Sequence, residues 1–236
     1  MSLKSVYIPE PSFQDNRIRI TGEEHHHLVV GRAEKDELVE VFDGKGNAWT
    51  ARVESIAKRE TVAVLKESKI ISRPAVELIL GMAVVRTAAF ESALEKSVEI
   101  GVTRIVPFAA ARSNAVPGNR HDRWFRIVVE AAKQSKRYHL PALDAVAKFE
   151  HVLSIPASTK IMFAERDGGP LKSALASSPA LYLIGPEGGW TDGEIADARS
   201  HGFQRVSLGA GILKAETAAI VGGALIRYEL EKGDGG

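Results

Sequence analysis

The sequence predicts an α/β protein in two parts, a small β-module over residues 1–72 and a larger domain over 73–236 built on a largely parallel sheet. Three observations carry that prediction. The opening segment consists of short runs of alternating apolar and polar residues separated by turn residues, the pattern of strands. Beyond residue 74, strand-like apolar runs recur with helical stretches between most of them, the pattern of a parallel sheet with crossover helices. Arg73-Pro74 separates the two rhythms and acts as punctuation.

Taken in order, Leu38–Phe42 reads as a short strand and Ala48–Val53 as its return strand. Asp43-Gly44-Lys45-Gly46-Asn47 between them supplies the positive-φ residues of a hairpin loop. Thr61–Leu65 is a further strand. Several short strands in succession suggest a small barrel of the kind often used for RNA contact, and a generic β-module fits the pattern equally. In the second part Val76–Leu80 reads as a buried strand. Phe90–Ile100 follows as a helix with Phe90, Leu94 and Val98 on one face and Gly101 at the C-terminal cap position. Strand-like runs recur at Thr103–Phe108, Lys160–Ala164, Ala180–Ile184 and Arg205–Leu208. A helix from Asp122 to Leu140 places Trp124, Ile127, Val128, Ala131 and Tyr138 on one stripe. Arg123, Arg126, Lys133 and Arg137 fall on roughly the opposite face, either as a solvated surface or as a contact for a phosphate backbone. A long helix runs to about Leu230, and Gly222-Gly223 inside it costs about 1 kcal/mol each relative to alanine, pointing to close approach of another helix. Gly233–Gly236 reads as a frayed tail.

Composition narrows the function classes. The 236 residues are 44% hydrophobic and 26% charged, with a net charge of +1, the mix of a globular protein with a sizeable core. Basic and acidic residues nearly balance in both parts, so a nucleic-acid surface would have to be a local patch. There are no cysteines, which removes disulfides, thiolate metal sites and thiol catalysis together. No apolar run approaches the ~20 residues of a membrane span, and the N-terminal residues do not read as a signal peptide, so a cytoplasmic location is expected. His25-His26-His27 invites a metal reading. Consecutive residues of a strand or loop rarely converge on one ion, however, and nothing completes tetrahedral ligation, so no metal is expected.

The chemistry concentrates in two glycine-rich segments. Ala180–Ile184 stops at Gly185-Pro186-Glu187-Gly188-Gly189, and a helix start follows with Thr191 as N-cap and Glu194 at capping-box spacing. A glycine-rich turn between strand and helix is where α/β proteins place small ligands. A phosphate cradle fits poorly, because Pro186 lacks an N–H donor and Glu187 puts a negative charge where an anion would sit. A phosphate-free cofactor with a cationic centre, such as the sulfonium of S-adenosylmethionine, suits the turn better; a tight connection needing glycine for positive φ is the plain alternative. Gly209-x-Gly211 begins a dinucleotide fingerprint that fails at Lys214.

Leu183-Ile184-Gly185-Pro186-Glu187-Gly188-Gly189 with Glu194, followed by Leu208-Gly209-x-x-Ile212-Leu213-Lys214-x-Glu216-Thr217-Ala218, resembles the ribosomal RNA small subunit methyltransferase E family. Glu24–Val30, Lys96–Val102, Arg112-Ser113 and Glu130–Arg137 extend the resemblance over nearly the whole chain. It implies an N-terminal PUA-like barrel and a C-terminal SPOUT domain whose chain is tied in a trefoil knot, a topology that sequence rules alone would not propose. It also implies methyl transfer from S-adenosylmethionine to N3 of one uridine in 16S ribosomal RNA of the small subunit, by a homodimer. Leu183, Ile184, Gly185, Pro186, Glu187, Gly188, Leu208, Gly209, Ile212, Leu213 and Thr217 would hold the cofactor. Glu187 and Glu216 are the acidic candidates for a base or for orienting the cofactor, with stabilisation of a helix N-terminus the plain reading of Glu216. Arg112, Arg123, Arg126, Lys133, Gln134 and Arg137 would contact RNA. Lys214 replaces the arginine usual in the family, keeping charge but losing a planar fork. Two other readings stay open: a knotted enzyme acting at another RNA site, and a ribosome-binding homologue without activity.

Overall fold

The computed structural model describes residues 3–113 and 120–233. The chain divides into two compact units, one comprising the sequence up to Arg73 with Ala132–Leu140, the other comprising Pro74–Ala131 and the chain from Pro141 onward.

The first unit contains β1 (Lys4–Tyr7), β2 (Phe13–Gln14), β3 (Arg17–Thr21), α1 (Gly22–Val30), β4 (Leu38–Phe42), β5 (Asn47–Ile56) and β6 (Glu60–Ile70). These strands form one six-stranded sheet in the order β1-β4-β5-β6-β3-β2, antiparallel except for the β1–β4 pair. Period-2 alternation gives each strand an inner face, and Val6, Ile18, Ile20, Val39, Val41, Ala51, Val53 and Ala63 close over Leu28 of α1 as the core. The hairpin forms where its turn chemistry demands, with Gly44 at φ 75° and Gly46 at φ 99°. The histidine run lies on α1 rather than in a strand or loop: His25 is buried and its Nδ1 lies 2.9 Å from Thr61 Oγ1.

Tyr138, His139 and Leu140 are stitched to that hairpin. The backbone N–H of Gly46 donates to Tyr138 O at 3.0 Å, and Leu140 N–H donates to Gly44 O at 2.9 Å. Within this unit Glu40 is buried and accepts hydrogen bonds from Lys69 Nζ (3.0 Å), Tyr138 OH (2.8 Å) and Lys136 Nζ (3.1 Å).

The second unit contains β7 (Leu78–Ala83), α2 (Thr87–Ile100), β8 (Arg104–Ala109), most of α3 (His121–Ser135), β9 (Ala142–Leu143), β10 (Ala147–Lys148), α4 (Phe149–Leu153), β11 (Thr159–Phe163), α5 (Leu171–Ala174), β12 (Ala180–Ile184), α6 (Asp192–Ser200), β13 (Gln204–Val206) and α7 (Ala215–Gly233). Its seven-stranded sheet runs β10-β8-β7-β12-β11-β13 with β9 beside β8, and every pairing is parallel. The central strands β7 and β12 are buried along their whole length, which is why they read as continuous apolar runs. α2 ends as expected, with Gly101 left-handed at φ 86°.

Three sequence expectations change. α3 stops at Ser135 because Lys136 turns left-handed at φ 57°, so Arg137 and Tyr138 lie beyond the helix and share no stripe with Trp124. The strand expected over Arg205–Leu208 is Gln204–Val206, its last residues having been freed into a loop. The helix approach expected at Gly222-Gly223 holds at Gly223 alone, where a Cβ would lie 2.8 Å from Ile100 of α2 and 2.5 Å from Tyr182 Oη of β12, while Gly222 admits a strand side chain, its Cβ lying 2.5 Å from the Phe163 ring. The glycine tail beyond Gly233 lies outside the described residues.

Candidate functional site

The parallel sheet delivers the Gly185–Gly189 turn from the end of β12, its centre. Each glycine there has its own reason. Gly185 carries the Trp190 indole, which an added Cβ would meet at 2.8 Å. That indole donates from Nε1 to Phe163 O at 2.8 Å and stacks parallel to Phe108 at 6.1 Å. Gly189 adopts φ 71° and its N–H closes the turn onto Pro186 O at 2.9 Å. Gly188 lies against Arg112, whose Nη1 donates to Gly188 O at 3.0 Å, while a Cβ on Gly188 would sit 3.2 Å from Arg112 Cβ.

The turn leads into α6 through a complete capping box: Thr191 Oγ1 accepts from Glu194 N–H, and Glu194 Oε2 accepts from Thr191 N–H. Glu194 is buried, and its second oxygen accepts from Ala111 N–H at 2.9 Å. One carboxylate therefore fixes both the helix after the turn and the loop that carries Arg112.

The second glycine segment faces the turn. It leaves β13 with Ser207, whose hydroxyl donates to Gly209 O at 3.0 Å, and Gly209 adopts φ 124°. Gly168 packs on the Val206–Ser207 backbone so closely that a Cβ would lie 2.3 Å from Ser207 N. Together the segments enclose a cleft of about 970 Å³, at the upper end of the ~300–1,000 Å³ of small-ligand sites.

Ile184, Gly185, Pro186, Glu187, Gly188, Leu208, Ile212 and Leu213 line this cleft, as do Arg112, Lys214 and Glu216. Leu183, Gly209 and Thr217 do not stand among the lining residues. Alternation turns the Leu183 side chain into the hydrophobic core with Phe108 and Met162. Glu187 is not a free carboxylate: Arg86 Nε donates to both of its oxygens, at 2.8 and 3.0 Å. Arg86 escaped the sequence reading, as did Glu165, Arg166, Asp167 and Arg205, which also line the cleft. The sheet brings those residues in from separate strand ends, and no local motif marks them.

The basic face of α3 resolves unevenly. Arg126 and Gln134 are exposed. Arg123 holds Glu91 through two bonds of 2.6 and 2.7 Å. The Lys133 side chain is only 9% exposed, and its ammonium donates to Glu24 at 3.1 Å and to His27 Nδ1 at 3.1 Å inside the first unit. Arg137 follows the helix end, its N–H donating to Ala132 O at 2.9 Å.

The comparisons with known proteins agree with this architecture. Residues 72–227 match the RNA methyltransferase domain family, and residues 20–66 match the RNA methyltransferase PUA domain family. The chain is 32% identical over 240 residues to the ribosomal RNA small subunit methyltransferase E of Synechocystis sp., covering 98% of this chain and 79% of that one. It is 28% identical to the Bacillus subtilis protein of the same name, covering 90% of each. Among solved structures, ribosomal RNA small subunit methyltransferase E from Neisseria gonorrhoeae, bound to S-adenosylmethionine, superposes with a TM-score of 0.90 at 30% identity. That match covers 97% of this chain and 98% of the other. A putative methyltransferase of Legionella pneumophila, also in complex with S-adenosylmethionine, reaches a TM-score of 0.90 at 25% identity, covering 97% and 98%. The fold is the SPOUT-type α/β domain joined to a PUA-like module that the sequence led us to expect. With a family match over most of its length and a relative 32% identical across 98% of it, the chain belongs to the ribosomal RNA small subunit methyltransferase E family.

Proposed function

We propose that this protein transfers a methyl group from S-adenosylmethionine to N3 of a single uridine in 16S ribosomal RNA, and that it works in the cytoplasm as a homodimer. The observation that carries the reading is the cleft itself, a backbone-rich cradle formed by the Gly185–Gly189 turn and the Leu208–Leu213 segment. Its chemistry suits that cofactor. The turn lacks the donors of a phosphate cradle, and the lining offers carboxylates for a sulfonium, arginines for a carboxylate and apolar side chains for an adenine. The relative that carries S-adenosylmethionine shares this fold at 30% identity.

The bound cofactor supplies an electrophilic methyl group; everything else falls to this chain. The turn and the facing segment orient it through backbone groups, with Arg112 fixing the turn at Gly188 O. Glu187, neutralised by Arg86, orients rather than removes protons. Glu216, in the first turn of α7 and lining the cleft, is the remaining acidic candidate at the second segment. N3 of uridine has to lose its proton and align with the methyl carbon, so positioning supplies much of the catalysis. A base edge inside a duplex is out of reach, so the target uridine is taken single-stranded or flipped. Arg126, Gln134 and Arg137 are the proposed RNA contacts remaining from α3 and its end.

A second copy has a surface to bind. Val221, Leu225 and Tyr228 are exposed at 37%, 41% and 55%, spaced four and three residues apart along one face of α7. Among the described residues no helix is long and apolar enough to cross a membrane. Calorimetric titration with S-adenosylmethionine, combined with sedimentation, tests the reading: a well-folded dimer that binds the cofactor is the expected result, and a folded protein without measurable binding contradicts it.

A further inference from the structure

Five cations line the cleft, and the structure distinguishes them by what their charged groups already hold. Arg112 donates from Nη1 to Gly188 O at 3.0 Å and lies 3.5 Å from Trp190 O. Arg205 is turned onto Asp167, with Nε 2.8 Å from the backbone oxygen. Lys214 and Arg166 are exposed on loops and carry no anchoring bond among those described. Arg86 differs from all four. It immediately precedes α2 at the end of the β7 connection, its Nε is tied to both oxygens of Glu187, and its side chain is 78% exposed on the cleft. The bond through Nε holds the guanidinium against the turn proposed to cradle the cofactor. Its two terminal nitrogens have no acceptor among the described residues. Beside it the first turns of α2 present Ala88, Ala89 and Ser92 to the cleft, a wall of small side chains that leaves room for a planar ring.

We infer that Arg86 is a catalytic residue, its terminal nitrogens receiving a carbonyl oxygen of the target uracil and stabilising the anion that forms on the ring. This inference rests on the reading of the chain as a uridine-N3 methyltransferase. The uracil imide is a weak acid, and its N3 becomes a competent nucleophile once its proton is gone. The N3 proton passes to solvent water, and the negative charge spreads over N3 and the two flanking carbonyl oxygens. The N3 electron pair then forms the bond to the methyl carbon while the carbon–sulfur bond breaks and its electron pair leaves with sulfur. The products are the N3-methylated base, the neutral thioether of the spent cofactor and one proton in solution. A fixed guanidinium facing a carbonyl oxygen stabilises the anion more than the neutral ring, as an oxyanion donor does. Glu187 sets the geometry: by taking Nε it aims the fork and keeps it beside the methyl donor.

The test is single-turnover methyl transfer to small ribosomal subunits lacking the modification, followed across pH for the wild type, Arg86→Gln and Arg86→Lys. Binding of S-adenosylmethionine is measured in parallel by calorimetry. Arg86→Gln is expected to lower the rate near neutrality by about 10²-fold and to move the ascending limb of the pH profile upward by about one to two units. At alkaline pH, where the imide ionises unaided, its rate should approach that of the wild type. Arg86→Lys keeps the charge without the fork and should fall between the two. A uniform rate loss at every pH, an unshifted limb, or loss of cofactor binding in Arg86→Gln overturns the inference, leaving Arg86 as an anchor of the turn. A wild type that transfers no methyl group to these subunits overturns the functional reading instead, so the two failures are distinguishable.

Discussion

Glu194 accepts a hydrogen bond from Ala111 N–H with one carboxylate oxygen and caps its own helix with the other. The two bonds tie a residue 83 positions away in the chain to a motif only four residues long. The cap positions the helix after the glycine turn, and the longer bond positions the loop whose next residue, Arg112, grips Gly188. Removing the carboxylate disturbs both sides of the cleft. Glu194→Ala is expected to cost about 2–3 kcal/mol in urea unfolding, combining a lost cap with a lost charge-assisted bond, and to weaken S-adenosylmethionine binding as well. A variant that unfolds at the wild-type urea concentration would remove Glu194 from this account.

Gly188 is needed for what stands beside it. A Cβ there meets Arg112 Cβ at 3.2 Å and Cδ at 3.4 Å, so Gly188→Val pushes the arginine off the turn. We expect cofactor affinity to fall by about 10- to 100-fold, the worth of a charge-assisted hydrogen bond. Calorimetry on the folded variant is the check, and normal affinity would show that Arg112 does not hold the cradle.

The glycines of α7 and of the cleft wall should behave oppositely. Gly223→Ala drives a Cβ to 2.5 Å from the buried Tyr182 hydroxyl and 2.8 Å from Ile100, an overpacking costing about 1–3 kcal/mol. Gly211→Ala meets nothing within 4 Å among the described residues, and it should stabilise the protein by about 0.4–1 kcal/mol through the unfolded chain. Thermal melts of the two variants should therefore shift in opposite directions.

Glu40 gives the first unit a pH dependence. Burial pushes its carboxyl up, but hydrogen bonds from Lys69, Tyr138 and Lys136 outweigh that and hold it below the ordinary value. A lowered folded-state pKa means the stabilisation is complete above the unfolded glutamate value of about 4.3 and disappears as the pH falls through the lower folded value. Glu40→Gln should lose about 2–4 kcal/mol near neutrality, toward the low end for a buried pair because Lys69 reaches solvent. Its stability should also change less than that of the wild type between pH 5 and pH 3. Equal acid sensitivity in both proteins would assign that transition to other carboxylates.

Much of this was legible locally. The Asp43–Asn47 hairpin, the Gly101 cap and the Thr191–Glu194 box each depend on residues within a few positions, and each forms where the sequence placed it. The two glycine segments were visible because backbone conformation restricts residue type. The charged partners were not, because they meet only after the parallel sheet assembles. Arg86 and Glu187 lie 101 residues apart, and Arg112 and Gly188 lie 76 apart. The end of α3 misled for a different reason. Lys136 is neither glycine nor asparagine, so nothing in its chemistry announced a left-handed residue, and the basic stripe was carried one turn too far. The partners of Lys133 were out of reach for a related reason: helical spacing names a face, but only the packed neighbours Glu24 and His27 decide how far that face meets solvent.

The most direct test of the central claim is mass spectrometry of ribosomal RNA after purified protein and S-adenosylmethionine are incubated with small subunits from cells lacking this chain. The account predicts one new N3-methyluridine in 16S RNA, formed only when the cofactor is present. Methylation confined to a ribose or to transfer RNA, or RNA left unchanged by a folded protein that binds the cofactor, would contradict it.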